Sequence, residues 1–206
     1  MFRKLITIAL LSSMFSPGAS TASAGCNCLW RGSFADVQAG ADLVISGTVT
    51  ATAGNSIDFY IDQKLRGKQP LDEVRIWLKT GNYCRPEVET FPIDSQWVMA
   101  LHEIKEDVPG GFSPHTPNIS YGRIGDYQLS NCGGYWLSRE GDWVSGNLIN
   151  APRWVREPKM SPVLLEVIRA YVRGEIDREV LLQAGQEDPN LKNLMLDTKA
   201  FLRDEH

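Results

Sequence analysis

The sequence predicts a mainly β domain that follows an export leader and ends in a helical extension. From Leu43 to about Ile149 the apolar residues form short runs typical of strands, and beyond Pro152 their spacing becomes helical. All four cysteines lie behind the leader. We therefore divide the chain into a leader (1–24), a β domain (25–152) and a helical extension (153–206).

The first 24 residues have the pattern of a secretory signal peptide. Arg3 and Lys4 give a positive start, an apolar run spans 5–11, and Ala22-Ser23-Ala24 is a small-x-small cleavage site. The apolar run is far shorter than the roughly 20 residues that cross a bilayer. No later stretch is apolar enough either, so we predict no membrane span and a periplasmic or extracellular protein.

Charge and motif content exclude several functions. The formal net charge is −4, it becomes more negative once the leader is removed, and no cluster of Lys or Arg is present. This argues against nucleic acid or an anionic membrane as a partner. His102 and Glu103 alternate in a predicted strand and so cannot share a metal, and neither a zinc-protease motif nor a phosphate loop occurs. We predict that the protein is not an enzyme, has no catalytic residue and needs no cofactor.

The four cysteines predict disulfides, because an even count in an exported chain indicates oxidation rather than metal binding. Cys26 and Cys28 are one residue apart, and an extended segment directs both side chains to one face. We therefore expect each to pair with a distant cysteine. Two pairings remain open: Cys26–Cys84 with Cys28–Cys132, or Cys26–Cys132 with Cys28–Cys84.

The strands are predicted from apolar runs and alternation. Ile57, Phe59 and Ile61 share one face of a strand, and Gly54-Asn55 offers a turn before it. A hairpin is predicted through 139–142. A loop rich in Pro, Gly and Ser over 106–125 is either functional or a plain surface excursion. The full set of predicted strand segments is 43–50, 57–62, 74–78, 97–101, 127–129, 135–137 and 143–146.

Three helices are predicted after residue 152. Ser161 and Pro162 suit the start of the first, which would run over 163–173 and end at Gly174. Asp177 caps a second through residue 184. A third begins at 188–189 and carries an apolar stripe over 191–202. We expect these helices to pack on the β part or on each other, with a docking surface for a partner as the alternative.

Six sequence features occur in a characteristic order. Cys-x-Cys directly follows the leader, and then come the strand ADLVISGTV (41–49), a strand ending in KLRG (64–67), the middle Cys84, the strand QWV (96–98) and LSNCG (129–133). This order resembles the amino-terminal domain of the tissue inhibitors of metalloproteinases, within the netrin-like group. The resemblance covers about residues 25–150 and implies a five-stranded Greek-key barrel of OB type.

The resemblance also implies a disulfide pairing, Cys26–Cys84 with Cys28–Cys132. The family's third bridge in this domain has no counterpart here, and a helical extension stands in place of the cysteine-rich second domain of animal members.

The family's function, carried over by resemblance, centres on Cys26. As the freed first residue, its backbone amine and carbonyl oxygen would bind the catalytic zinc of a target metalloendopeptidase. Asn27 would enter the specificity pocket, Cys28 would complete the contact segment, and Leu29 and Trp30 would either contact the rim or pack on the barrel. The alternative function is a non-inhibitory interaction module of the cell envelope that binds another protein partner.

The processing site decides whether Cys26 is freed. Ala22-Ser23-Ala24 predicts cleavage before Gly25, which would leave one residue ahead of Cys26, and cleavage after Gly25 is the alternative. A lipoprotein is the third possibility, since 23–26 loosely resembles a lipobox.

Overall fold

A computed structural model describes residues 26–81, 83–108, 121–150 and 162–186. The leader, residues 109–120 of the predicted loop and the third predicted helix lie outside these ranges. The strands are β1 (Leu43–Ala53), β2 (Ser56–Arg66), β3 (Glu73–Trp77), β4 (Gln96–Glu103), β5 (Tyr127–Gln128), β6 (Trp136–Glu140), β7 (Trp143–Ser145) and β8 (Val163–Leu164). The helices are α1 (Phe34–Val37), α2 (Leu165–Val172) and α3 (Arg178–Ala184), with 3₁₀ turns at Gln38–Gly40 and Val88–Thr90.

Five strands close into a barrel in the order β1-β2-β3-β5-β4, and β4 pairs back onto β1. The β3–β5 pair is parallel and the other four pairs of the ring are antiparallel. This is the predicted five-stranded Greek-key barrel of OB type, and the fold prediction is confirmed. The other three strands extend the sheet from β4 in the order β6-β7-β8.

The first strand bends at Gly47 so that it can belong to two sides of the barrel. It pairs with β2 and with β4, and its register against β2 shifts between Ser46 and Gly47. A Cβ at position 47 would lie 1.9 Å from the carbonyl oxygen of Tyr60. Only glycine allows this close backbone approach at the bend.

The barrel interior and the late helices form one core. Phe34, Phe59, Met99 and Leu137 are fully buried, and residues of α2 and α3 belong to the same cluster. The α2 and α3 members are Leu165, Ile168, Val172 and Leu181. The apolar faces of these two helices therefore pack on the β domain, as one of the two sequence-based alternatives proposed.

Polar contacts join the late helices to the start of the chain. The Tyr171 hydroxyl of α2 donates to the carbonyl oxygen of Ala35 at 3.2 Å. Arg178 of α3 forms an ion pair with Asp36 at 2.8 Å. The two helices thus support the segment that leads from the first cysteines into the barrel.

The start of the first late helix is predicted wrongly. Val163, assigned to the helix from sequence, lies in β8 opposite Val144 of β7, and α2 begins only at Leu165. Val163 is buried and its backbone pairs with the sheet, so tertiary packing overrides the local helix-start signal of Pro162. Ser161 lies outside the described residues.

The later helix boundaries agree with the sequence. Gly174 follows the end of α2 with φ +74°. The Asp177 carboxylate accepts a hydrogen bond from the Val180 amide at 3.0 Å, which makes it the N-cap of α3.

Candidate functional site

Two disulfides hold the start of the described chain against the barrel. Cys26 is bonded to Cys84 in the connection between β3 and β4, and Cys28 is bonded to Cys132 between β5 and β6. Of the two pairings that the residues alone left open, the structure contains the one that the family resemblance implies. The bridges span 58 and 104 residues of sequence.

The four sulfur atoms form a single cluster. The Cys26 and Cys28 sulfurs are 3.6 Å apart, and all four lie within 4.8 Å of one another. Cys26 and Cys28 therefore face the same side of the segment, as extended backbone requires. Because every cysteine is in a disulfide, the cluster offers no thiolate to a metal.

Backbone hydrogen bonds fix the residues that follow the disulfides. The Arg31 amide donates to the Cys132 carbonyl at 2.7 Å, and the Gly134 amide donates to the Gly32 carbonyl at 2.9 Å. The Phe34 amide donates to the Asn147 carbonyl at 2.7 Å. The segment from residue 26 to residue 34 is thus attached to the β3–β4, β5–β6 and β7–β8 connections at five points, counting both bridges.

Gly134 permits this close attachment. A Cβ at position 134 would lie 2.8 Å from the Phe34 nitrogen and 2.9 Å from the Asn147 oxygen, both backbone atoms that a side chain cannot displace cheaply. The sequence shows the Gly133-Gly134 pair, and its role as a seat for the amino-terminal segment emerges only from the fold.

The side chains between and beyond the cysteines differ in exposure. Asn27 is exposed, Leu29 is 90% exposed and Trp30 is half-buried. Leu29 therefore does not pack on the barrel, and Trp30 does not belong to the residues that pack against the core. The outer face of the pinned segment presents one amide and one large apolar side chain to solvent.

A basic cavity lies beside the disulfides, and no sequence pattern predicted it. Arg31, Arg85 and His102 line it together with three of the four cysteines. Burial lowers the pKa of Arg85 to about 10, so the guanidinium remains charged at neutral pH. Burial is also the main cause that lowers the pKa of His102, which makes the neutral imidazole the favoured form near pH 7. Arg31 and Arg85 are far apart in the sequence and belong to no motif, so this cluster could not be predicted from the sequence.

No family model, curated protein or solved structure matches this chain. The class of the protein is therefore defined by its own fold and site: an OB-type barrel whose first cysteines are pinned to two of its connections. Within the described residues, no helix is long and apolar enough to cross a bilayer.

Proposed function

We propose that the protein is a secreted or periplasmic inhibitor-like module that blocks a zinc metalloendopeptidase with its pinned amino-terminal segment. One observation carries the proposal: two disulfides fix Cys26 and Cys28 to the barrel while Asn27 and Leu29 face solvent. A short, rigid and exposed segment loses little conformational freedom when it enters the active-site cleft of an enzyme.

The chemistry of the block comes from the backbone of Cys26. A catalytic zinc has three protein ligands and a water that becomes the nucleophile. The α-amino nitrogen and carbonyl oxygen of one residue form a two-atom ligand that displaces this water. An α-amino group has a pKa of roughly 8, so its deprotonation costs little at neutral pH and zinc favours it further.

The disulfide of Cys26 indicates whether this residue carries a lipid. A lipid on the Cys26 sulfur would occupy the atom that forms the Cys26–Cys84 bridge. The observed bridge therefore supports an unmodified cysteine, and paired cysteines accord with folding outside the cytoplasm. The inhibitor proposal further requires that signal peptidase cleaves after Gly25.

Two forms of the mature protein test the proposal, one beginning at Cys26 and one beginning at Gly25. Both retain the same disulfides and barrel, so each is the folding control of the other. We expect the Cys26 form to inhibit at least one member of a panel of zinc endopeptidases, and the Gly25 form to be at least about 100-fold weaker because the chelating amine is lost. Absence of inhibition by both forms would falsify the proposal.

A second candidate is a non-inhibitory interaction module of the cell envelope. Asn27 favours it, because an exposed amide is a poor filler for a deep apolar specificity pocket. Deleting all of 153–206 is an unsuitable test, since Leu165 and Ile168 of that segment belong to the core. Truncation after Gln186 retains every described element, and loss of a captured envelope protein on that truncation would support this candidate.

A further inference from the structure

The cavity beside the disulfides has an unusual charge balance. Its volume is about 280 Å³, and the described residues that line it include two arginines and a histidine but no carboxylate. The chain as a whole is acidic, with a net charge of −4. Positive charge is therefore concentrated at this place against the overall trend of the molecule.

Arg85 forms the buried side of the cavity. The residue is only 3% exposed, its Nη1 donates to the Tyr121 carbonyl at 2.7 Å, and its Nη2 donates to the Gln128 side-chain oxygen at 2.8 Å. The guanidinium also lies over the Tyr83 ring, 4.7 Å from its centre. All these partners are neutral, and the buried Nε has no hydrogen-bond partner in the part of the chain that the structure describes.

A buried guanidinium without a carboxylate is costly, because burying a charge is expensive unless an opposite charge compensates it. A fold that needed only structural hydrogen bonds at this position could use a neutral side chain. The uncompensated charge of Arg85 points to a negative group that is supplied from outside the chain.

Arg31 supplies the second positive charge at the solvent side. Its side chain is exposed, and no ion pair involves it among the described residues. Its backbone is held by the hydrogen bond to Cys132, so its position relative to the cavity is fixed. Its charge also acts on His102, whose pKa it lowers.

The nearest carboxylate to the imidazole is already engaged. Asp42 Oδ2 lies 3.8 Å from His102 Nδ1 and accepts from the Glu103 amide at 3.0 Å, while Oδ1 accepts from Lys105 at 2.5 Å. Asp42 does not line the cavity. It therefore leaves the charges of Arg31 and Arg85 uncompensated.

Besides the polar side chains of Gln128 and Ser130, the cavity has an apolar and aromatic part. Tyr83, Leu129 and Tyr135 line the cavity, and the Tyr135 ring meets the imidazole of His102 edge-on at 5.4 Å. Such a surface suits the hydrocarbon part of a ligand, whereas a guanidinium fork suits a planar two-oxygen group.

We propose that this cavity binds a small organic carboxylate, with the carboxylate held between Arg31 and Arg85 and its apolar portion against Tyr83, Leu129 and Tyr135. Cys26 is not among the residues that line the cavity, and the carboxylate site does not depend on the inhibitor proposal. The carboxylate can belong to a free acid or to the end of a peptide.

Isothermal titration of the oxidised mature protein with four probes tests the site. Phenylacetate carries both features of the ligand, phenylacetamide is its neutral counterpart, and inorganic phosphate is an anion without an apolar part. We expect saturable binding of phenylacetate and at least about tenfold weaker binding of the other two, because each lacks one set of contacts. Acetyl-alanyl-phenylalanine, a peptide with a free carboxyl end, distinguishes the two sources of the carboxylate. If it binds, the ligands of the cavity include peptide ends, and if it does not bind, the cavity takes free acids.

Matched variants locate the binding. Arg31→Gln changes an exposed side chain and should retain the fold while weakening phenylacetate at least about tenfold. Arg173→Gln removes another exposed arginine, one that does not line the cavity, and should leave binding unchanged. Arg85→Lys keeps the charge without the fork, and its folding is checked by circular dichroism. Absence of phenylacetate binding to the parent protein, tighter binding of phosphate, or equal binding by the Arg31→Gln variant would overturn the proposal.

Discussion

The sulfur of Cys26 lies 3.6 Å from the sulfur of Cys28, although the two residues are bonded to different partners. The two bridges therefore act on one three-residue segment from two separate connections of the barrel. Both ends of that segment are covalently held, and the exposed Asn27 lies between them.

Removing one bridge or the other should lower the free energy of unfolding by different amounts. A disulfide stabilises the folded state by reducing the entropy of the unfolded chain. For loops of 58 and 104 residues, the upper limits of this stabilisation are about 4 and about 5 kcal/mol. We expect C28S/C132S to reduce the free energy of unfolding more than C26S/C84S, as measured by urea denaturation. Paired serine substitutions leave no odd thiol. A larger loss from C26S/C84S would contradict the loop-length argument.

Gly134→Ala should destabilise the attachment of the amino-terminal segment. The added methyl group meets the backbone atoms of Phe34 and Asn147, so we expect a loss of about 1–3 kcal/mol in the free energy of unfolding. Gly40→Ala is the matched control, because its Cβ would have no neighbour within 4 Å. Equal effects of the two substitutions would show that the close approach is not what requires glycine.

His102 should make stability fall on mild acidification. Its pKa is lowered in the folded state, by burial first and also by Arg31 and Lys105, with Asp42 opposing. The unfolded chain therefore binds the proton more readily than the folded chain. The stabilising contribution is complete above the unfolded pKa of about 6.5 and is lost as the pH falls towards the folded value.

Urea unfolding between pH 8 and pH 5, in the parent protein and in the His102→Gln variant, measures this effect. The variant should show a flatter profile, since His115 and His206 are common to both proteins. A bound carboxylate should also raise the pKa of His102, which proton NMR of the imidazole detects. Parallel stability profiles for the two proteins would rule out this assignment.

Leu29→Ala should weaken the proposed inhibition of a protease without changing the stability of the fold. The side chain is 90% exposed, so we expect the free energy of unfolding to change by no more than about 0.5 kcal/mol. If the protein inhibits a zinc endopeptidase as proposed, this inhibition should weaken, because Leu29 offers the large apolar side chain near Asn27. Leu71→Ala is the control, since Leu71 is 63% exposed and follows β2 rather than the pinned segment. Unchanged inhibition by the Leu29 variant would remove this residue from the contact surface.

The barrel could be predicted largely from local patterns. Three features depend only on a few neighbouring residues, and the structure confirms them: the alternation in β2, the apolar run of β4 and the Asp177 cap of α3. The start of α2 could not be predicted in this way. Val163 pairs with Val144, and that contact depends on the assembled sheet rather than on the adjacent Pro162.

The basic cavity escaped prediction for a similar reason. Arg31 follows the first disulfide segment, Arg85 follows the middle cysteine and His102 lies in β4, so only the closed barrel brings them together. Burial of a charged side chain cannot be read from its neighbours in sequence. The Cys-x-Cys motif, in contrast, is local, and its resemblance to a known family indicated the segment before the fold was known.

The distance of 104 residues between Cys28 and Cys132 gives the molecule an order of maturation. Cys28 is synthesised long before Cys132, so the second bridge can form only after most of the barrel has been synthesised. A nascent chain arrested halfway would expose Cys28 as a reactive thiol with a loose terminus. The amino-terminal segment is thus synthesised before the barrel that holds it and becomes fixed only after most of that barrel has been made.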